Sequence, residues 1–343
     1  MKIETEACLV NGKKDVAVAH KVITYEDQGT LVKITRGGIC GSDIHYYLDG
    51  KVGNNPITNP MILGHEVVGE IVKSDNPELR PGQKIAINPS KPCGTCAYCQ
   101  SGMSNQCIDM KFFGSAMYRP HIDGGFTTHR LVETFQCKPY DESADEKMVV
   151  FAEPFAVGLH AVNQAGDVSG KTVLVSGVGP IGSLLVAALK LKGAKQIYAF
   201  DMSENCLQIA QLMGADNLVN ISKQSIDEFA ADKGFFDISF EVSGAQPSLD
   251  TCIQVTKARG TVVQVGMGRE LNGFSMMGAI AKEIHLVGTF RFVEEFDEAV
   301  QLLSDGAINP EPLLSHEFDF HDLEKAIKTA ADKNIASKVQ LVF

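Results

Sequence analysis

Short runs rich in apolar and β-branched residues recur through the first 145 positions: EACLVNG, LVKITRGG, VVGEIV, KIAINP and FTTHRLV. Gly, Pro and Asn break them, a pattern that reads as successive strands. In the middle of the chain the pattern changes. TVLVS, QIYAF, ADNLVN, FFDISFEVSG, GTVVQVGM and EIHLVGTF alternate with the helix-periodic stretches SLLVAALKLKGA, ENCLQIAQLMGA and PSLDTCIQVTKA. Strand–helix alternation predicts a parallel, doubly wound sheet. Two further helical stretches, EEFDEAVQLLSDG and DLEKAIKTAADK, precede a strand-like KVQLVF. No internal repeat and no low-complexity linker interrupts the chain. The expected fold class is α/β: a β-rich domain over 1–148, a doubly wound domain over 149–290 and a return segment over 291–343.

Four cysteines fall close together in KPCGTCAYCQSGMSNQC: Cys93, Cys96, Cys99 and Cys107. Two-residue spacings let successive thiolates turn toward one point, and four thiolates close a tetrahedral zinc shell. Gly94 and Gly102 permit the turns. The segment has no apolar periodicity, so metal binding supplies the energy that orders it. Bacterial ferredoxins share the two x2 spacings, but their fourth cysteine follows at x3 and precedes proline. Here the spacing is x7 and isoleucine follows, which favours a structural zinc lobe at about 88–110.

A second set of metal donors is scattered over three runs. GGICGSDIHYY offers Cys40, Asp43 and His45, LGHEVVG offers His65 and Glu66, and FAEPFAVGLH offers Glu153. Thiolate, imidazole and carboxylate from separate segments suit a catalytic zinc with three protein ligands and an open position. Asp43 is expected to accept a hydrogen bond from the far nitrogen of His65 and fix its tautomer.

TVLVS runs into GVGPIG, with Gly177, Gly179 and Gly182, and then into an apolar helical stretch. Strand, G-x-G-x-x-G and helix together form a dinucleotide fingerprint. Asp201 ends the next apolar run, nineteen residues after Gly182, where a carboxylate meets ribose hydroxyls. No Arg or Lys occurs in DMSENCL (201–207), so the pattern favours NAD over NADP.

Charge narrows the partners. The 343 residues carry 31 Lys and Arg against 42 Asp and Glu, a net charge of −11. That balance argues against nucleic acid, which needs a basic face. No apolar stretch is long enough for a membrane span, and MKIETEACLVNGKKD lacks an apolar core of signal-peptide length. The expectation is a cytoplasmic, reducing location, where close-spaced cysteines bind metal rather than form disulfides.

Together these residues resemble the zinc-containing medium-chain dehydrogenases, over essentially the whole chain and in the family's order. GICGSDIHYY, LGHE, AEPFAVGLH and GTFRF resemble the polyol branch, the sorbitol and xylitol dehydrogenases. INPSKPCGTCAYC, MKFFGSAMYRPHIDGGF and SKVQLVF resemble its bacterial sugar-acid dehydrogenases more closely still. The resemblance implies a GroES-like catalytic domain and a Rossmann domain with the active site in the cleft between them. It implies zinc ligation by Cys40 and His65, with Glu66 and Glu153 both open as the carboxylate ligand. Ser42 and His45 match proton-relay positions, and Tyr46 and Arg291 match substrate-facing ones. Gly177, Gly179, Pro180, Ile181, Gly182, Asp201, Val265, Gly266 and Thr289 match cofactor-binding positions. A homodimer or homotetramer, joined through edge strands of the Rossmann domains, is typical of the family.

The implied reaction moves hydride between NAD(P) and a secondary alcohol of a polyol or sugar acid. A carboxylate in place of a thiolate makes the zinc site more oxygen-rich, which suits a substrate chelating through adjacent hydroxyls. A sugar acid also needs a cation, for which Arg291, Arg119 and His121 are the candidates. A nicotinamide-binding protein without catalysis is the alternative from another class. Retention of both ligand sets and of the relay residues argues against it.

Overall fold

The strand Thr30–Gly38 is the axis of the first unit. Its alternating TLVKIT segment turns Val32 and Ile34 into the core, and its closing glycines admit close neighbours. The computed structural model describes residues 1–268 and 275–343 and divides into two units. One comprises Met1–Glu153 with Phe296–Phe343, the other Pro154–Glu295.

In the first unit a seven-stranded sheet runs in the order Cys137–Pro139, Lys84–Ile87, Glu66–Ser74, Thr30–Gly38, Lys338–Val342, Leu314–Asp319, with His129–Val132 also paired to Thr30–Gly38. The hairpin Lys2–Gly12 and Asp15–Thr24 forms a smaller sheet with Met61–Ile62. The C-terminal strand runs antiparallel to Thr30–Gly38, with Gln340 opposite Gly38. The amphipathic helix Leu323–Ala331 turns Leu323, Ala326 and Ile327 into the same core. Spacing of three and four residues puts these side chains on one helical face.

The second unit is built on a six-stranded sheet, ordered Asn217–Asn220, Gln196–Asp201, Thr172–Ser176, Phe236–Glu241, Thr256–Gln264, His285–Gly288. Every pairing is parallel. Central strands such as TVLVS are buried on both faces, as helices on each side require. Strand order reverses at Thr172–Ser176, the switch point where open α/β sheets bind ligands at the carboxyl ends.

One boundary differs from the sequence reading. PSLDTCIQVTKA does not stay helical to its end: the helix Gln246–Val255 stops at Thr256, which already belongs to the next strand. The β-branched Thr256 favours strand geometry. Its hydroxyl donates to the Cys252 carbonyl at 2.6 Å and so closes the helix.

Candidate active site

Glu66 and Gly38 face each other across two antiparallel strands. Two residues beyond Gly38, Cys40 is the N-cap of the helix Gly41–Asp49. One residue before Glu66, His65 closes the preceding loop. This register gathers the donor atoms of Cys40, His65 and Glu66 within 4.8 Å of one another. His65 and Glu66 are buried, at 5% and 1% exposure.

A residue the sequence reading missed completes the cluster. Lys338 begins the C-terminal strand, on the other flank of Gly38. Its Nζ lies 2.6 Å from Glu66 Oε1 and 2.5 Å from Oε2. Gly38 makes the meeting possible: a Cβ there would lie 2.2 Å from Glu66 Oε2 and 3.1 Å from Lys338 Cε. Burial pulls the lysine's pKa down, but the charges of Glu66 and Cys40 outweigh it and hold it raised.

Burial, with Glu66 nearby, pushes the Cys40 thiol up to about 11. Burial also lifts Glu153 to about 8, against the pull of His65 and with a further push from Glu66 and Cys40. Glu153 stands outside the group of close donor atoms, yet it is coupled electrostatically to all three. His65 Nδ1 is buried without a hydrogen-bond partner, and the Phe112 ring packs 5.5 Å from the imidazole. A thiol, an imidazole and a carboxylate gathered at one point are the donor types that suit Zn²⁺.

Asp43 corrects an expectation. It does not bond His65. Its Oδ2 accepts from the Cys40 N–H at 2.9 Å and its Oδ1 from the Gly64 N–H at 3.1 Å. At the third helical position its short side chain reaches back to the N-cap backbone. It thereby ties together the two loops that carry Cys40 and His65.

On the same helix Ser42 is half-buried. His45 is exposed, with Nδ1 2.9 Å from Asp49 Oδ2. Tyr46 is buried, and its hydroxyl accepts from the Ala116 N–H at 2.9 Å. Arg119 and His121 hydrogen-bond neutral groups of the surrounding loops. The guanidinium donates to the carbonyls of Ala116, Tyr118 and Pro56, and His121 Nε2 accepts from the Thr58 N–H. Both are bracing groups of their loop. Arg291, in the second unit, adopts φ +54° and lies over the Phe290 ring, 4.8 Å from its centroid.

The four clustered cysteines also gather within 4.8 Å. The Cys93 N–H donates to Cys107 Sγ at 3.2 Å and the Cys96 N–H to Cys93 Sγ at 3.4 Å. Hydrogen bonds from Thr95 and Cys96 draw Cys93 down to about 6, while burial and its neighbours push Cys99 up to about 12. Four sulfur donors gathered at one point match the closed, four-coordinate shell of a structural zinc, which would hold them as thiolates.

In the second unit, Gly177 adopts φ +92°, where a Cβ would lie 2.7 Å from the Ser243 nitrogen. A Cβ on Gly182 would lie 2.1 Å from the Gly177 oxygen. At Gly179, the N-cap of the helix Pro180–Leu191, a Cβ meets nothing within 4 Å. That opening at a helix N-terminus fits a pyrophosphate. Pro180 and Ile181 open the helix. Asp201 accepts from the Val178 and Ser203 N–H groups at 2.9 Å each, locking the glycine turn to the next strand. Val265 and Gly266 donate their N–H groups to the Glu241 carbonyl. Thr289 Oγ1 is buried without a partner. His160 takes no part in a metal cluster among the described residues: its Nδ1 lies 2.9 Å from Glu295 Oε1.

Comparison with known proteins agrees with this arrangement. Residues 180–305 match the family Zinc-binding dehydrogenase, and residues 26–142 match Alcohol dehydrogenase GroES-like domain. The chain is 57% identical over 343 residues to L-idonate 5-dehydrogenase (NAD(P)(+)) of Escherichia coli, covering 100% of each. It superposes on the crystal structure of L-idonate 5-dehydrogenase from that organism with a TM-score of 0.99, covering 100% of this chain and 99% of that one. Sorbitol dehydrogenase of Bos taurus is 31% identical over 348 residues, covering 99% of this chain and 96% of its own. A β-rich unit with its donor clusters and a parallel-sheet unit with a dinucleotide turn thus match two domains of one enzyme family along the full length, and the chain belongs to the zinc-binding dehydrogenases.

Proposed function

We propose that this dehydrogenase oxidises L-idonate at C5 to 5-keto-D-gluconate with NAD(P)⁺ and catalyses the reverse reduction. The observation that carries the reading is the 57% identity, without truncation on either side, to L-idonate 5-dehydrogenase. Cys40, His65 and Glu66 would hold the catalytic zinc, and Cys93, Cys96, Cys99 and Cys107 the structural one. When bound, zinc supplies Lewis acidity to the substrate hydroxyl and the nicotinamide takes up hydride from C5.

The chain's own residues handle the proton and the geometry. Glu153, a buried carboxyl in the electrostatic reach of Cys40, His65 and Glu66, is the group to take the hydroxyl proton as general base. Ser42 and the exposed His45 offer the route outward. Asp43 fixes the two ligand loops and Lys338 fixes Glu66, so the donor set is preorganised. A carboxylate ligand favours substrates with adjacent hydroxyls. Asp201, with no cation in 202–207, favours NAD among the two cofactors.

The test is nicotinamide reduction with L-idonate, D-sorbitol and xylitol in parallel, before and after chelation. Turnover of idonate well above both polyols, lost on chelation, is the expected result. Preference for sorbitol or xylitol would move the protein to the alternative reading, a sorbitol/xylitol-type polyol 2-dehydrogenase.

We further propose a homodimer or homotetramer in the cytoplasm. The edge strand His285–Gly288 and the adjoining helix Met277–Lys282 expose Leu286, Ile280 and Met277, an apolar strip suited to pairing with a second copy. Light scattering after size exclusion measures the mass. No described helix is long and apolar enough to cross a membrane.

A further inference from the structure

Glu241 ends the strand Phe236–Glu241, next to the switch point of the parallel sheet, and its side chain is fully buried. Oε1 accepts from the Ser243 N–H at 2.9 Å and from the Ser243 hydroxyl at 2.5 Å. Oε2 accepts from the Gly244 N–H at 3.0 Å and from Gln264 Nε2 at 2.6 Å. All these groups are neutral donors. Among the described residues Glu241 has no ion-pair partner.

The contacts also hold two loops together. Residues 242–245 follow the Glu241 strand, and residues 265–268 follow the adjacent strand Thr256–Gln264. A Cβ on Gly266 would lie 2.1 Å from the Gly244 nitrogen and 2.8 Å from Glu241 Oε2, so the loops interlock around the carboxylate. In a sheet of this strand order each half takes one mononucleotide. The glycine turn and Asp201 belong to the half that takes the adenosine. Glu241, Gln264 and Thr289 lie at the carboxyl ends of the other half, where the nicotinamide belongs.

We propose that Glu241 is a positioning residue of the nicotinamide half: it clamps the two loops, and its buried charge favours the cationic oxidised ring over the neutral reduced ring. The inference rests on the reading that this unit binds a nicotinamide dinucleotide. Nothing in the motifs assigns this residue a part. The physical basis is that a fixed charge in a weakly screened site discriminates between ligands differing by one charge.

Calorimetric titration of the zinc-loaded full chain with NAD⁺, NADH and ADP-ribose tests it. Glu241→Gln is expected to raise the Kd for NAD⁺ relative to that for NADH by about tenfold, with ADP-ribose binding nearly unchanged. The exchange Glu241→Gln with Gln264→Glu returns the charge to the same hydrogen-bonded pair and is expected to restore the ratio. An unchanged ratio in Glu241→Gln overturns the proposal, as does an equal loss for all three ligands, which would mark a structural role. If the single variant fails to fold, the exchange variant decides: folded protein without the wild-type ratio overturns the proposal. Failure of the wild-type chain to bind NAD⁺ or NADH would instead overturn the cofactor reading.

Discussion

Replacing Lys338 with methionine removes a buried positive charge while keeping most of the side-chain volume. The Nζ stands 2.6 and 2.5 Å from the two Glu66 oxygens, and both side chains are 5% exposed or less. At an effective dielectric constant near 20, a pair at this separation attracts by about 6 kcal/mol. Much of that offsets desolvation, and loss of one partner of a buried pair costs about 3–5 kcal/mol. For a unit of this size the loss corresponds to about 10 °C in melting temperature. The penalty depends on the metal. In stripped protein Glu66 is left buried without a cation, whereas in loaded protein a zinc held by Cys40, His65 and Glu66, as proposed, would supply one. Calorimetric melting of wild type and Lys338→Met, each zinc-loaded and chelator-stripped, separates the states, since loss of the structural zinc is common to both chains. The difference between the chains should be large when stripped and markedly smaller when loaded. An equal difference in the two states would refute the coupling between Lys338 and the metal site, and no difference in the stripped state would refute the burial argument itself.

Gly38→Ala inserts a Cβ 2.2 Å from Glu66 Oε2. It should cost about 1–3 kcal/mol of stability through overpacking and lower kcat more than the KM for cofactor, as steady-state kinetics will show. Cys107→Ser should remove one zinc per chain, measured by metal analysis, and make the lobe near 88–110 the first site of limited proteolysis, because that segment has little core of its own. At the Glu295 carboxyl, burial pushes upward, but hydrogen bonds from His160, the Val293 N–H and Asn163 outweigh it and hold the group at about 2, below its usual 4.5. Its stabilisation is therefore complete above about pH 4.5 and lost as pH falls toward 2. The melting-temperature gap between wild type and Glu295→Gln should accordingly narrow between pH 5 and pH 3; a gap independent of pH would sink the assignment.

The parallel sheet was legible because its strands are short, apolar and separated by helix-periodic stretches, and the glycine turn announces its switch point. The donor residues were legible for a different reason. Few side chains bind zinc, so Cys40, His65 and Glu66 stand out even when scattered. What the motifs could not supply was which atoms each of these residues touches. Asp43 looked like a partner for His65 because it lies three residues after Cys40 and a ligating imidazole commonly donates its far N–H to a carboxylate. A helix N-cap uses a carboxylate at its third position for backbone N–H groups, and that local geometry claimed Asp43 first. Lys338 shows the opposite failure. A lysine opening an apolar terminal strand reads as surface charge, and its partner Glu66 lies 272 positions away. Only the strand register, Glu66 opposite Gly38 and Gly38 opposite Gln340, brings the pair across a glycine that has no side chain to keep them apart. A second glycine in GGIC could have served as the signal: a strand that ends in glycine beside a metal ligand leaves space above it, and a buried carboxylate facing that space requires a cation from the next strand.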